Sequence, residues 1–405
     1  MTRRRVAVTG LGALCALGSG IRALERGLRE ARCALAPLDH PEVADLAGLP
    51  FGAVGDFDVP IARAHLRRSS RADRLALAAA LEAAADAALP TSVQAQAAVV
   101  LGVGAGGLDA LERYVRTHDS AGPGRAHPSD LVTFPPAGSS RAVAQAVGAG
   151  GPCLALMTAC SSSATALGHA FDLVRRGRVP VAFAGGTEPR SRLTLSGFLA
   201  LRALAPEPCR PFDANRRGLS LGEGAAVLVL EELEHARARG AHIWAELVGW
   251  GASCDGHHMT APDAEGRGAE RALLAALADA GLAPDQIDYV NAHGTGTPQN
   301  DPMETAALHR VFGPHARRVL VSSTKSQIGH TQSAAGALEA AATVLALAGG
   351  FAPATVTLST PDPACDLDYV PGRTRALAAR AALSSSFGFG GNNVALAFAA
   401  ASGLA

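Results

Sequence analysis

Apolar positions follow two alternating patterns along this chain, and the alternation predicts an α/β protein. Short apolar runs bounded by glycine, serine or threonine predict buried strands over 6–10, 97–103, 180–184, 224–231, 245–250, 287–292 and 319–323. Between them, alanine- and leucine-rich segments with interspersed charges predict helices over 71–89, 108–117, 138–147, 164–176, 267–280 and 333–348. Gly10-Leu11-Gly12-Ala13 and Gly185-Gly186-Thr187 read as turns that end the strands before them. The segment 118–136, rich in Pro, Gly and Ser, reads as a long loop.

The order then repeats. Strand 245–250 runs into Gly249-Trp250-Gly251-Ala252, as the first strand runs into Gly10-Leu11-Gly12-Ala13. Helix 267–280, strand 287–292 and Gly294 parallel helix 71–89, strand 97–103 and Gly104. Strand 319–323 and helix 333–348 take the places of the apolar run 154–157 and the helix after it. The pattern predicts an internally duplicated α/β unit, with halves 1–240 and 241–405, in which both copies bring a loop and helix start to a shared centre.

Candidate chemistry collects at that centre. An apolar run stops at Thr158-Ala159-Cys160, three serines follow, and a helix begins. A cysteine over the unpaired N–H groups of a helix start is expected to form a thiolate more easily, although a buried structural thiol fits this stretch equally well by itself. The second half adds His293, in Asn291-Ala292-His293-Gly294-Thr295-Gly296-Thr297, and His330, in Lys325-Ser326-Gln327-Ile328-Gly329-His330. Each follows a predicted buried strand, where α/β proteins bind ligands. The duplication places both imidazoles against the thiol, a set suited to acyl transfer.

Composition removes competing classes. Apolar residues make up 48% and charged residues 18%, which excludes disorder, and a formal net charge of zero gives no global field for nucleic acid or membranes. Seven scattered cysteines without a CxxC pair argue for a reduced, cytoplasmic protein and against a disulfide framework or a metal site. Arg3-Arg4-Arg5 precedes only a short apolar strand, so no signal peptide is expected, and no run is apolar enough to span a bilayer.

Together with Ser386-Phe387-Gly388-Phe389-Gly390-Gly391-Asn392-Asn393, these motifs resemble, in order and spacing over nearly the whole chain, a β-ketoacyl-(acyl carrier protein) synthase of the elongating, two-histidine type. The resemblance implies a thiolase-like fold of two αβαβα halves, usually dimeric with a second copy or a homologous subunit. It implies decarboxylative condensation of an acyl-enzyme with malonyl on an acyl carrier protein, in fatty-acid or polyketide elongation. No cofactor is implied, because phosphopantetheine arrives on the carrier protein.

The resemblance also assigns roles. Cys160 is the nucleophile, and His293 and His330 stabilise the enolate. Lys325 is the active-site lysine, with Glu339 its partner, and the backbone N–H groups of Cys160 and Phe389 form the oxyanion hole. Thr295 and Thr297 meet the phosphopantetheine arm, Asp301 orders the histidine loop, and Ala105 and Phe387 belong to the substrate pocket. Lys325–Glu339 also fits a structural ion pair, and the two threonines also fit a capped turn.

Arg63, Arg67, Arg68, Arg71 and Arg74 form a basic cluster that suits an acidic carrier protein and equally fits an ordinary solvated face. The small Ala105 suggests a deep acyl pocket, and the serine triplet suggests polyketide-type synthases, whereas Asn392 stands where threonine is common.

Two motifs are set aside. Gly102-Val103-Gly104-Ala105-Gly106-Gly107 lacks the second strand and acid of a dinucleotide site. Gly218-Leu219-Ser220-Leu221-Gly222 lacks the strand before and helix after it that a nucleophile elbow needs. A chain-length-factor-like partner without its own condensing role is the alternative, which the retained Cys160 and both histidines oppose. A thiolase reading needs a second catalytic cysteine, and Cys365 in an acidic loop fits that poorly.

Overall fold

The computed structural model describes residues 4–62, 66 and 69–401. The first half gives the main sheet β1 (Val6–Cys15), β2 (Ala98–Val103), β3 (Cys153–Leu156), β4 (Val181–Glu188) and β5 (Gly224–Glu232). The second gives β6 (Ala245–Cys254), β7 (Tyr289–Asn291), β8 (Leu320–Ser322), β9 (Ala381–Gly388) and β10 (Asn392–Ala400). Strand order is β8-β7-β9-β10-β6-β1-β5-β4-β2-β3. Outward from the antiparallel β6–β1 pair, each half presents its first, fifth, fourth, second and third strands. In both halves the second strand runs parallel to the third and fourth, and the other pairs are antiparallel.

Six helices complete the layers: α1 (Arg71–Asp86), α2 (Ala137–Val147), α3 (Ser162–Arg175), α4 (Arg267–Ala280), α5 (Asn300–Phe312) and α6 (Ala335–Gly349). Helices α1 and α2 cover first-half strands, α4 covers β6 and β10 with α5 against it, and α3 and α6 pack together between strands of both halves. The result is the thiolase-like αβαβα arrangement.

Two-sided burial explains the continuous apolar runs. Val99 and Leu101 of β2 face outward to Leu75 and Ala79 of α1, while Ala98 and Val100 face inward to the core that contains Leu167 and Phe171 of α3 and Leu338 of α6. Val290 and Leu383 join Leu273 and Leu277 of α4 in a third core. Helix α6 is buried from Ala335 to Leu347, which accounts for its apolar character all round. Among the described residues, no helix is long and apolar enough to cross a membrane.

Three expected turns are instead strand interiors. β1 continues through Gly10 and Gly12 to Cys15, β6 through Gly249 and Gly251 to Cys254, and β4 through Gly185 and Gly186 to Glu188. These glycines permit close contact. A Cβ on Gly12 would lie 2.0 Å from Ala79 O in α1, and one on Gly251 would lie 2.4 Å from Ala272 O in α4. The ladders slip between Val8 and Gly10 in β1 and between Leu247 and Gly249 in β6, so both copies keep the same irregularity. The expected loop 118–136 also changes: a helix runs Leu108–Ala121, and a short one spans Ser129–Val132.

Candidate active site

Cys160 sits where β3 turns into α3. Ala159 before it has φ +51°, a left-handed conformation that costs a non-glycine residue about 1–3 kcal/mol. The serines hold this turn. Ser161 Oγ donates to Thr158 O (2.8 Å), while Ser162 Oγ donates to Ala159 O (2.6 Å) and accepts from Thr158 N–H (2.9 Å). Ser163 Oγ accepts from Ala337 N–H in α6 at 2.9 Å, tying the Cys160 turn to the other half. All three are fully buried, so the triplet has a structural account without reference to substrate.

The end of β9 closes over this turn. A Cβ on Gly388 would stand 2.9 Å from Thr158 O and 3.1 Å from Cys160 N, so this glycine makes room for the close approach of the two backbones. The Phe389 N–H lies close enough to the Cys160 sulfur to favour its charged form. Gly390 and Gly391, at φ +80° and +75°, carry the chain back into β10.

The second half supplies the imidazoles. Gln332 N–H donates to His330 Nδ1 at 3.1 Å, and the Lys325 ammonium donates to His293 Nδ1 at 3.3 Å. A backbone N–H and an ammonium only donate, so each ring uses Nδ1 as acceptor and keeps its proton on Nε2. The rings lie edge to face with centroids 5.3 Å apart. Burial and the Lys325 charge hold both histidines well below their ordinary pKa, His330 adding to the effect on His293. Both are therefore neutral N–H donors.

Lys325 also donates to His293 O (2.6 Å) and pairs closely with Glu339. Burial pushes the Glu339 carboxyl up to about 7 against the pull of Lys325. Cys160 departs from the thiolate expectation. Burial pushes its thiol up to about 11, outweighing Lys325 and the Phe389 N–H, so the resting side chain is a thiol.

Asp301 accepts from Phe212 N–H (2.7 Å) and Gly296 N–H (3.2 Å), which fixes the glycine-threonine loop. The histidine backbone itself is held by Glu304, which sequence reasoning missed: its two oxygens accept His293 N–H and Gly294 N–H, both at 2.8 Å. Its signal was the Asp301-x-x-Glu304 spacing, one turn apart at the start of α5. Ser220, set aside above as a nucleophile, has its carbonyl on His330 N–H at 2.7 Å, and its hydroxyl accepts from Cys209 N–H.

A cavity of about 360 Å³ opens over these groups. Cys160, His293, His330, Phe387 and Phe389 line its floor and walls, with Thr295, Thr297, Arg202 and Arg217 also on it. The Thr295 and Thr297 hydroxyls lie 2.9 Å apart, and Thr297 also accepts Asn300 N–H at the start of α5. Ala105 is not among the lining residues; its N–H donates to buried Glu188 at 3.2 Å. Cys365 is buried away from the cavity in the outer second-half core.

The docking cluster needs correction at Arg71. Its guanidinium makes a bidentate pair with fully buried Glu223 (2.6 and 2.7 Å) and also donates to Val54 O, so it is engaged inside the fold. Arg63, Arg67 and Arg68 lie outside the described residues. Arg74 is exposed.

The family model described as Beta-ketoacyl synthase, N-terminal domain, matches residues 3–236, and that described as Beta-ketoacyl synthase, C-terminal domain, matches 244–359. The chain belongs to the beta-ketoacyl synthase family. It is 42% identical to 3-oxoacyl-(acyl-carrier-protein) synthase 2 of a Synechocystis species, covering 98% of each chain. It is 43% identical to nodulation protein E of Rhizobium meliloti, over 98% of this chain and 99% of that one. Among solved structures, the ishigamide ketosynthase/chain length factor superposes with a TM-score of 0.92 at 34% identity, covering 98% and 99% of the two chains.

Proposed function

We propose that this synthase elongates acyl chains by decarboxylative Claisen condensation, in fatty-acid or type II polyketide assembly. The observation that carries the reading is the meeting of one thiol and two neutral Nε2–H imidazoles in one cavity. Cys160 takes the acyl group from a carrier thioester, and its proton leaves with the carrier's thiol, so the exchange is neutral overall. Malonyl on a carrier enters next. As its carboxylate departs as CO₂, charge develops on the thioester oxygen, where His293 and His330 donate. The enolate carbon attacks the acyl-cysteine carbonyl. The N–H groups of Cys160 and Phe389 receive the oxyanion, and the Cys160 sulfur leaves as a thiolate that takes a proton from water.

Lys325 and Glu339 hold the His293 tautomer, Thr295 and Thr297 meet the phosphopantetheine arm, and Phe387 bounds the acyl group. The reading needs no resident cofactor, since the arm arrives on the carrier. Arg202 and Arg217, exposed beside the cavity, support docking of an acidic carrier there. The sheet ends at edge strand β3, with Leu154 41% and Met157 69% exposed, which supports pairing with a second copy or a homologous subunit. The scattered cysteines favour a cytoplasmic setting. The partner-only alternative is not favoured, because nothing in such a role calls for the complete thiol and imidazole set.

The test supplies malonyl-carrier with acyl-carriers of varied length and measures β-ketoacyl product. Wild type is expected to form it. Absence of product with every acyl chain would overturn the reading.

A further inference from the structure

Glu188 is a buried acid to which the reaction above assigns no task. It ends β4 in the first half and is 1% exposed. One carboxylate oxygen accepts from Ala105 N–H at 3.2 Å. The other accepts from Ser333 N–H at 3.3 Å and closely from Ser333 Oγ, which also lies 2.8 Å from Thr187 O. A Cβ on Gly104 would stand 2.7 Å from this carboxylate, so that glycine makes room for it.

Ser333 matters because of what precedes it. The His330 main chain is fixed by Ser220 O on its N–H and by Gly222 N–H on its carbonyl (3.0 Å). Its ring is held differently, by Gln332 N–H on Nδ1. Gln332 lies in the left-handed region at φ +50°, a strained state that persists only where its surroundings hold it. The residue that follows is clamped by Glu188.

We infer that Glu188 is a positioning residue: by clamping Ser333 it holds the strained Gln332 turn, and so keeps the His330 proton on Nε2. The first half thus sets the tautomer of a second-half histidine. The Ala105 N–H on the same carboxylate joins the glycine loop to this clamp. The inference rests on the proposed role of His330, and its test separates the two.

In Glu188→Gln, an NH₂ group faces one of the two backbone donor sets. Malonyl decarboxylation by the acylated enzyme should fall by about 10- to 100-fold, the scale of a misplaced catalytic group. Cys160 acylation should not fall, because its turn is untouched and loss of the Glu188 charge, which helps hold the thiol up, favours the thiolate. Long-range ¹⁵N–¹H spectra of histidine-labelled protein, with His330 assigned by its loss in His330→Gln, should show Nε2–H in wild type and a tautomer mixture in Glu188→Gln. Unchanged decarboxylation, or equal loss in both half-reactions with the His330 tautomer intact, would overturn the inference. If Glu188→Gln does not fold, Ser333→Ala carries the same test, with a smaller loss of the same pattern expected and the same overturning results. Retained decarboxylation in His330→Gln would instead remove the histidine role while leaving the tautomer readout to judge Glu188.

Discussion

The Lys325 ammonium donates to His293 Nδ1 at 3.3 Å, and this contact leaves Nε2 as the proton-bearing nitrogen. Replacing either histidine with alanine should therefore lower decarboxylation and condensation by about 10²- to 10³-fold, the cost of losing one donor to a developing oxyanion. Acylation of Cys160 should be spared. Radiolabelled CO₂ release and acyl-enzyme mass measure the two steps separately.

Lys325 and Glu339 are both buried, so removing one partner is costly. Lys325→Ala should lose about 3–5 kcal/mol in urea unfolding. Protonation of Glu339, already pushed up to about 7, limits that loss. Lys325→Ala/Glu339→Gln should recover part of the stability without recovering decarboxylation.

The Cys160 thiol is raised to about 11, so its thiolate fraction rises with pH far above neutrality. Iodoacetamide labelling of the Cys160 peptide, followed by mass spectrometry, should speed up about tenfold per unit between pH 7 and 9. A rate already at its plateau at pH 7 would mark a resting thiolate.

Gly12→Ala and Gly251→Ala each drive a methyl group into a helix carbonyl, at 2.0 and 2.4 Å. Each should destabilise the protein by about 1–3 kcal/mol or more, as overpacking does. Thermal unfolding measures both, and similar losses are expected because the two sites are copies of one contact.

Much of this was legible in the sequence. The repeated order of apolar runs and glycines matches the repeated strand order, and the cysteine and both histidines meet in one cavity. What escaped depends on distant partners or on burial. Gly10 and Gly12 read as a turn because a glycine pair carries the same signal whether the chain bends or a helix presses on it. Arg71 read as a docking cation because Glu223, its partner, lies 152 residues away. Glu304 was passed over because an acid that accepts backbone N–H groups looks like any other helix-start acid. The Cys160 thiol read as acidic because the helix start was visible in the sequence and the desolvation was not.

The central claim, that acyl transfer runs through Cys160, is tested most directly by comparing wild type and Cys160→Ala in condensation of acyl-carrier with malonyl-carrier, with intact-mass detection of acyl-enzyme. The account predicts an acyl adduct on Cys160 in wild type, and neither adduct nor condensation product in Cys160→Ala. Condensation at an undiminished rate in Cys160→Ala would contradict it.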